Sequence, residues 1–137
     1  MAARKTGFQV SKEQLILEIW KKGDGSHIPK KMPEGYAAVY IFRHDEHDVY
    51  LKVGQAGVKS GLRYLSHHYH TTAPSTLSKS LLKDAEYSLL MDENSTKEWL
   101  IRNTTRFNIL IPAVLGKHFV NFTEAFFILM VSPKFER

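Results

Sequence analysis

Residues 36–43 and 49–54 alternate inward and outward character at a period of two and are rich in Val, Ile and Tyr, while His44-Asp45-Glu46-His47-Asp48 between them is wholly polar. The pattern predicts a β-hairpin with a polar turn. With those five residues as the loop, the ladder pairs Arg43 with Val49, Ile41 with Leu51, Tyr40 with Lys52 and Val39 with Val53. Opposed residues of an antiparallel pair point the same way, so Val39 and Ile41 share a face with Leu51 and Val53. Tyr36, Tyr40 and Phe42 share the other with Tyr50 and Lys52. A slip of one residue would mix the two sets. In this register the Cβ atoms of Tyr40 and Lys52 stand about 5 Å apart.

Upstream, Ser11 opens Leu15, Ile16, Ile19 and Trp20 at helical spacing, and Gly23-Asp24-Gly25 closes the segment. This predicts a short amphipathic helix and loop, residues 1–34, packed as an addition on a domain of residues 35–137. Downstream, residues 61–70 place Leu62, Leu65 and Tyr69 on one helical face, with Arg63, His67 and His70 on a neighbouring polar stripe. Pro74 lies in the break before a second helix, which starts with Leu77, Leu81 and Leu82 and extends to about Leu90. Ser95-Thr96-Lys97-Glu98 reads as a capping box before Trp99-Leu100-Ile101. Phe107 to Ile111 predicts a third strand, and Phe119 to Val131 a mostly apolar helix.

At 137 residues the chain suits one domain with one cleft. Its net charge of +5 is uneven: residues 1–83 hold thirteen Lys and Arg against seven Asp and Glu, the remainder six against seven. Any contact with a polyanion therefore belongs to the first part. The absence of cysteine excludes disulfides and thiolate metal sites and suits a reducing, cytoplasmic setting. The longest apolar run, Ala125 to Val131, is far shorter than a membrane span, and Met1 to Val10 lacks the apolar core of a signal peptide. A soluble protein without a membrane partner is expected.

Four groups carry candidate chemistry. A cation beside a phenol favours the phenolate, so Lys52 opposite Tyr40 could tune the tyrosine toward a base, although an edge-strand tyrosine with a lysine laid along it has the same spacing. Arg63 and His67 could grip a phosphate, or form a solvated helix face. His67 and His70, like His44 and His47, repeat a metal-ligand spacing, but without a Cys or a nearby carboxylate to complete a tetrahedral set they read as surface or phosphate-contacting groups. Glu124 lies in a helix that is apolar nearly all round, where a carboxylate must be paired, metal-bound, in a cleft, or part of a capping box with Asn121. A single carboxylate suffices for a Mg²⁺ ion shared with phosphate oxygens.

In order and spacing these residues resemble the GIY-YIG nuclease superfamily over residues 35–137. Ala38-Val39-Tyr40 stands for the Gly-Ile-Tyr strand and Lys52-Val53-Gly54 for the Tyr-Ile-Gly strand. Arg63 stands for the helical arginine, Glu124 for the metal-binding glutamate, and Pro133-Lys134-Phe135-Glu136 for a Pro-x-x-Asn ending. Ala38, Lys52, Gln55 and Glu136 depart from the usual residues. Some members place a histidine one turn after the arginine, where His67 sits beside His68.

The resemblance implies an α+β fold, a small three-stranded antiparallel sheet flanked by helices, here with the extra N-terminal helix. It implies Mg²⁺- or Mn²⁺-dependent phosphodiester hydrolysis in nucleic acid, DNA above all. Tyr40, helped by Lys52, would be the general base; Arg63 with His67 or His68 would hold the scissile phosphate, and Glu124 the metal. Lys59, Lys79 and Lys83 would flank the cleft and bind the substrate backbone. The alternative is a catalytically inactive nucleic-acid-binding module on the same fold. Sequence specificity would need the N-terminal 34 residues or a homodimer.

Overall fold

A computed structural model describes residues 14–71 and 76–135. Strands β1 (Ile16–Trp20), β2 (Tyr36–His44), β3 (Val49–Ala56) and β4 (Thr104–Pro112) form one antiparallel sheet in the order β1-β4-β2-β3. Helices α1 (Gly61–Leu65), α2 (Leu77–Lys83), α3 (Thr96–Asn103) and α4 (Gly116–Val131) flank it, with 3-10 turns at Asp45–His47, His67–Tyr69, Tyr87–Leu89 and Ala113–Leu115. The α+β class is as expected, with four strands where three were predicted.

The additional strand is the segment predicted as the N-terminal helix. Residues 16–20 pair along β4 from Ile16 opposite Leu110 to Trp20 opposite Arg106, which satisfies backbone groups on both strands. Trp20 is thereby fully buried. Residues 16–20 therefore complete the sheet instead of decorating it, and the Ser11 start lies outside the described residues.

The β2–β3 ladder differs from the predicted one by two residues. Tyr40 stands opposite Gly54, Ile41 opposite Val53 and Phe42 opposite Lys52, and a bulge follows before Arg43 meets Tyr50. The bulge sets both Leu51 and Lys52 against Phe42. Leu51 thus joins the cluster of Tyr40 and Phe42, while Tyr50 packs with Val39, Ile41 and Val53.

The first two helices are shorter than predicted, and the last begins earlier. The 61–70 helix ends as α1 at Leu65 and continues as a 3-10 turn, and Leu62 is 77% exposed while Tyr64, His68 and Tyr69 point inward. The second helix stops at Lys83 before its own 3-10 turn. Ser95 precedes α3, but its Oγ accepts the Asp92 N–H and Glu98 pairs with Arg102, so the capping box does not form. α4 begins at Gly116, which places Glu124 two turns in and removes its capping role.

The sheet buries both faces. Trp20, Tyr40, Phe42, Leu51, Tyr64 and Tyr69 form the larger cluster, with Leu77, Leu81 and Leu100 brought by α2 and α3. Ala37, Val39, Ile41, Val53 and Ile111 meet Val120 and its neighbours on α4. The outer side of α4 remains apolar, with Phe122, Phe126, Leu129 and Met130 exposed. By length and composition residues 113–131 could cross a membrane, which an uninterrupted-run criterion misses because Lys117 and Glu124 divide the segment. The inner side is laid on the sheet.

Candidate functional site

Tyr40 sits fully buried in the middle of β2. Its ring lies against Gly54, where a Cβ would come within 2.6 Å of Cε1 and 2.8 Å of the hydroxyl oxygen. Glycine is the residue that allows this approach. The hydroxyl lies 2.8 Å from His68 Nε2, and His68 Nδ1 accepts the Leu77 N–H at 2.9 Å. An Nδ1 that accepts leaves the proton of a neutral imidazole on Nε2, so His68 donates to the phenol oxygen. Burial holds the His68 imidazole well below its ordinary 6.5, and the charges of His67, Lys52, Arg106 and Arg63 act in the same direction. Because the phenol oxygen accepts from His68, its own O–H proton is directed elsewhere.

Three further elements converge on that phenol. Arg63 on α1 donates from Nε to the Gln55 carbonyl at 3.0 Å. The Gln55 side chain donates to Glu124 Oε1 at 2.6 Å and to Asn121 Oδ1 at 2.9 Å, which ties β3 to α4. Burial pushes the Tyr40 phenol above its ordinary 10.0, and the Glu124 charge adds to this. Arg63, by charge and hydrogen bonding, and Arg106, by charge, oppose it. His68 thus bonds Tyr40 directly, while Arg63 and Glu124 are linked to each other through Gln55, beside Gly54, and reach the phenol by their charges.

Other predicted site residues stand differently. Lys52 is not opposite Tyr40; its Nζ donates to the Phe135 carbonyl at 3.3 Å, and its charge bears on His67 and His68. His68, expected at the surface or on phosphate, is buried and acts as the donor to Tyr40. His67 is half-buried, and its imidazole is lowered by burial and by the Arg63 and Lys52 charges. Lys59 is exposed in the loop before α1, while Lys79 lies in the first turn of α2 and Lys83 is its last residue. The C-terminal segment reaches β3 through Lys134 N–H to the Tyr50 carbonyl and Phe135 N–H to the Leu51 carbonyl, both 2.9 Å. Glu136 lies outside the described residues.

Sequence reasoning missed Arg106. This arginine is 1% exposed and its guanidinium lies 4.3 Å from the Trp20 ring centre, 4.7 Å from Tyr40 and 4.8 Å from Tyr64. It donates to Asn108 Oδ1 and to the Tyr64 carbonyl, both at 2.7 Å. Aromatic faces and carbonyl oxygens therefore stabilise a buried cation directly behind Tyr40. The only available signal was a lone charge inside an otherwise strand-like run, Thr104 to Pro112.

Beside the constellation a groove of about 450 Å³ is lined by Gln55, Ser60, Arg63 and Lys117 among others. A larger groove, about 810 Å³, lies away from Tyr40 between the Gly23–Pro29 loop and α3. Glu124 and Asn121, one turn apart on α4, present oxygen donors, a set that suits a hard cation such as Mg²⁺. Compared with known proteins, the chain matches no family model, no curated protein and no solved structure.

Proposed function

We propose that the chain is a metal-dependent endonuclease of the GIY-YIG type that hydrolyses phosphodiester bonds in DNA. The observation that carries this reading is the link through Gln55, which joins the Arg63 guanidinium and the Glu124 carboxylate next to the glycine on which the Tyr40 ring rests. Tyr40 takes a proton from the attacking water, with its ring held by His68 and Gly54. Arg63, with His67 beside it, binds the scissile phosphate and stabilises charge as the phosphorus–oxygen bond breaks. His68 is a positioning residue in this scheme, because both its ring nitrogens are engaged inside the protein. A Mg²⁺ or Mn²⁺ ion held by Glu124 would supply a Lewis acid near the leaving oxygen and offset the carboxylate charge that now disfavours the phenolate.

The test is a plasmid-nicking assay with Mg²⁺ or Mn²⁺. Tyr40→Phe and Glu124→Ala are expected to abolish cleavage while DNA binding, measured by gel shift, persists. Metal-dependent cleavage retained by Tyr40→Phe sinks the base assignment. One observation favours the non-catalytic module: the Tyr40 side chain is fully buried, and burial pushes its phenol further above the ordinary 10.0. That reading predicts DNA binding without cleavage by the unsubstituted chain in every divalent metal.

A further inference from the structure

The polar turn between β2 and β3 brings His44, Glu46 and His47 together, and one donor atom from each lies within 4.8 Å of the others. Glu46 thus stands as a carboxylate beside the histidine pair, which makes three donors in all. Asp45 and Asp48, the turn's other two carboxylates, are committed elsewhere. Arg43 pairs with Asp45 Oδ1 at 2.7 Å and with Asp48 Oδ1 at 2.5 Å, and Asp45 also accepts from the Thr105 hydroxyl. Asp48, in the left-handed region at φ 54°, closes the turn by donating its N–H to the Asp45 carbonyl. The backbone that presents Glu46 and His47 is therefore fixed by a guanidinium that is not itself among the converging donors.

His44 is set more firmly than its two neighbours. It is 2% exposed, packed between Trp99 and Tyr87 at ring separations of 4.9 and 5.5 Å, with the His47 ring at 4.8 Å. Its Nδ1 lies 2.8 Å from the Tyr87 hydroxyl, which leaves Nε2 as the nitrogen for a ligand. A metal-bound histidine ordinarily has its other ring nitrogen bonded to an oxygen in this manner, which fixes ring and tautomer. Glu46 and His47 are exposed, so their side chains can turn inward from the present separation of up to 4.8 Å to the roughly 3.3 Å that bonds of about 2.0–2.1 Å require in a tetrahedral site.

We propose that His44, Glu46 and His47 form a binding site for one first-row transition-metal ion, Zn²⁺ by class. Two imidazoles and one carboxylate select such an ion over Mg²⁺ or Ca²⁺. Three protein ligands leave a fourth position to water or to a group entering the adjoining groove of about 590 Å³, which Glu86, Tyr87 and Lys134 also line. The site lies four residues from Tyr40 on the same face of β2, about 13 Å at the strand rise of 3.3 Å per residue, and is separate from the Glu124 constellation. It does not depend on the nuclease reading.

The test uses the full metal-stripped chain titrated with Zn²⁺ by calorimetry and with Co²⁺ by visible absorption. One equivalent is expected to bind, and His47→Ala and Glu46→Gln, both exposed positions, each weaken it by roughly tenfold or more. Tyr87→Phe is expected to weaken it by about 10- to 100-fold through His44 orientation. Absence of Zn²⁺ binding by the unsubstituted chain overturns the proposal. So does binding that His47→Ala and Glu46→Gln leave unchanged, or that is lost instead in a His67→Ala, His70→Ala double variant.

Discussion

Gly54→Ala isolates the contact that holds Tyr40. The strand conformation at this position accommodates alanine, which in a strand interior is ordinarily the better residue by about 0.5–1 kcal/mol. The added Cβ, however, lands 2.6 Å from Tyr40 Cε1, where ordinary contact begins at 3.4 Å, so the ring must yield by at least 3.4 − 2.6 = 0.8 Å. It has little room to do so. His68 lies 2.8 Å from its hydroxyl and the Arg106 guanidinium 4.7 Å from its ring centre. A shift of that size directed along the 2.8 Å bond to His68 would take it beyond 3.5 Å and leave a buried imidazole N–H unsatisfied. Overpacking costs about 1–3 kcal/mol and an unsatisfied buried donor about 1–3 kcal/mol, so a net loss of about 2 kcal/mol is expected after partial relaxation. Urea unfolding reads that loss directly. On the nuclease reading proposed above, nicking should fall about 10²-fold, the penalty for misplacing a reacting group by about 1 Å. In a Tyr40→Ala background the stability cost of Gly54→Ala should vanish, because the clash has no partner. A Gly54→Ala protein within about 0.5 kcal/mol of the unsubstituted chain refutes the contact. Equal costs in the two backgrounds refute it as well.

Two other expectations concern the aromatic side of the sheet. His27 is fully buried between the Thr104 carbonyl at 2.6 Å and the Tyr69 hydroxyl at 2.7 Å, and burial lowers its pKa from 6.5 to about 4. The native state keeps it neutral while the unfolded chain takes up a proton near 6.5. Its contribution is therefore complete above pH 6.5 and lost as pH falls to 4, about 3 kcal/mol over 2.5 units. His44 and His68, also lowered, act in the same direction, so the measurement is the difference in acid sensitivity between the unsubstituted chain and His27→Gln. Identical pH slopes in the two proteins rule the assignment out. Trp20→Ala should cost about 3–5 kcal/mol in urea unfolding, as expected for a buried indole. A change below 1 kcal/mol would mean that β1 is the separable addition the helical spacing suggested.

The hairpin was legible in kind but not in register, and the reason is geometric. A slip of one residue exchanges the faces of a strand, whereas a slip of two preserves them. The alternation of Val39, Ile41 and Val53 against Tyr40, Phe42 and Lys52 could therefore exclude the first error and not the second. The bulge beside Phe42 is invisible to any periodic test. In β1 the sheet side carries Glu18 and Trp20 while Leu15 and Leu17 are mostly exposed, so the polar and apolar positions do not follow burial. Spacing of four between Leu15 and Ile19 then imitates a helix. Tyr40, Arg63 and Glu124 stood out as candidates because each element carries one chemically unusual residue. The role of His68 was not legible, because burial comes from a 3-10 turn that ends α1 early.

The buried arginine gives the protein two kinds of positive charge that ionic strength separates. Arg106 is enclosed by Trp20, Tyr40, Phe42 and Tyr64, so dissolved counterions cannot approach it. Exposed cations such as Lys59 and Arg63 are screened within a Debye length of about 8 Å in physiological salt. Raising the salt therefore weakens the field of Lys59 and Arg63 while the field that Arg106 exerts on the Tyr40 phenol stays in place. Under the proposed function, encounter with DNA and proton transfer at Tyr40 would respond to different variables in one small domain.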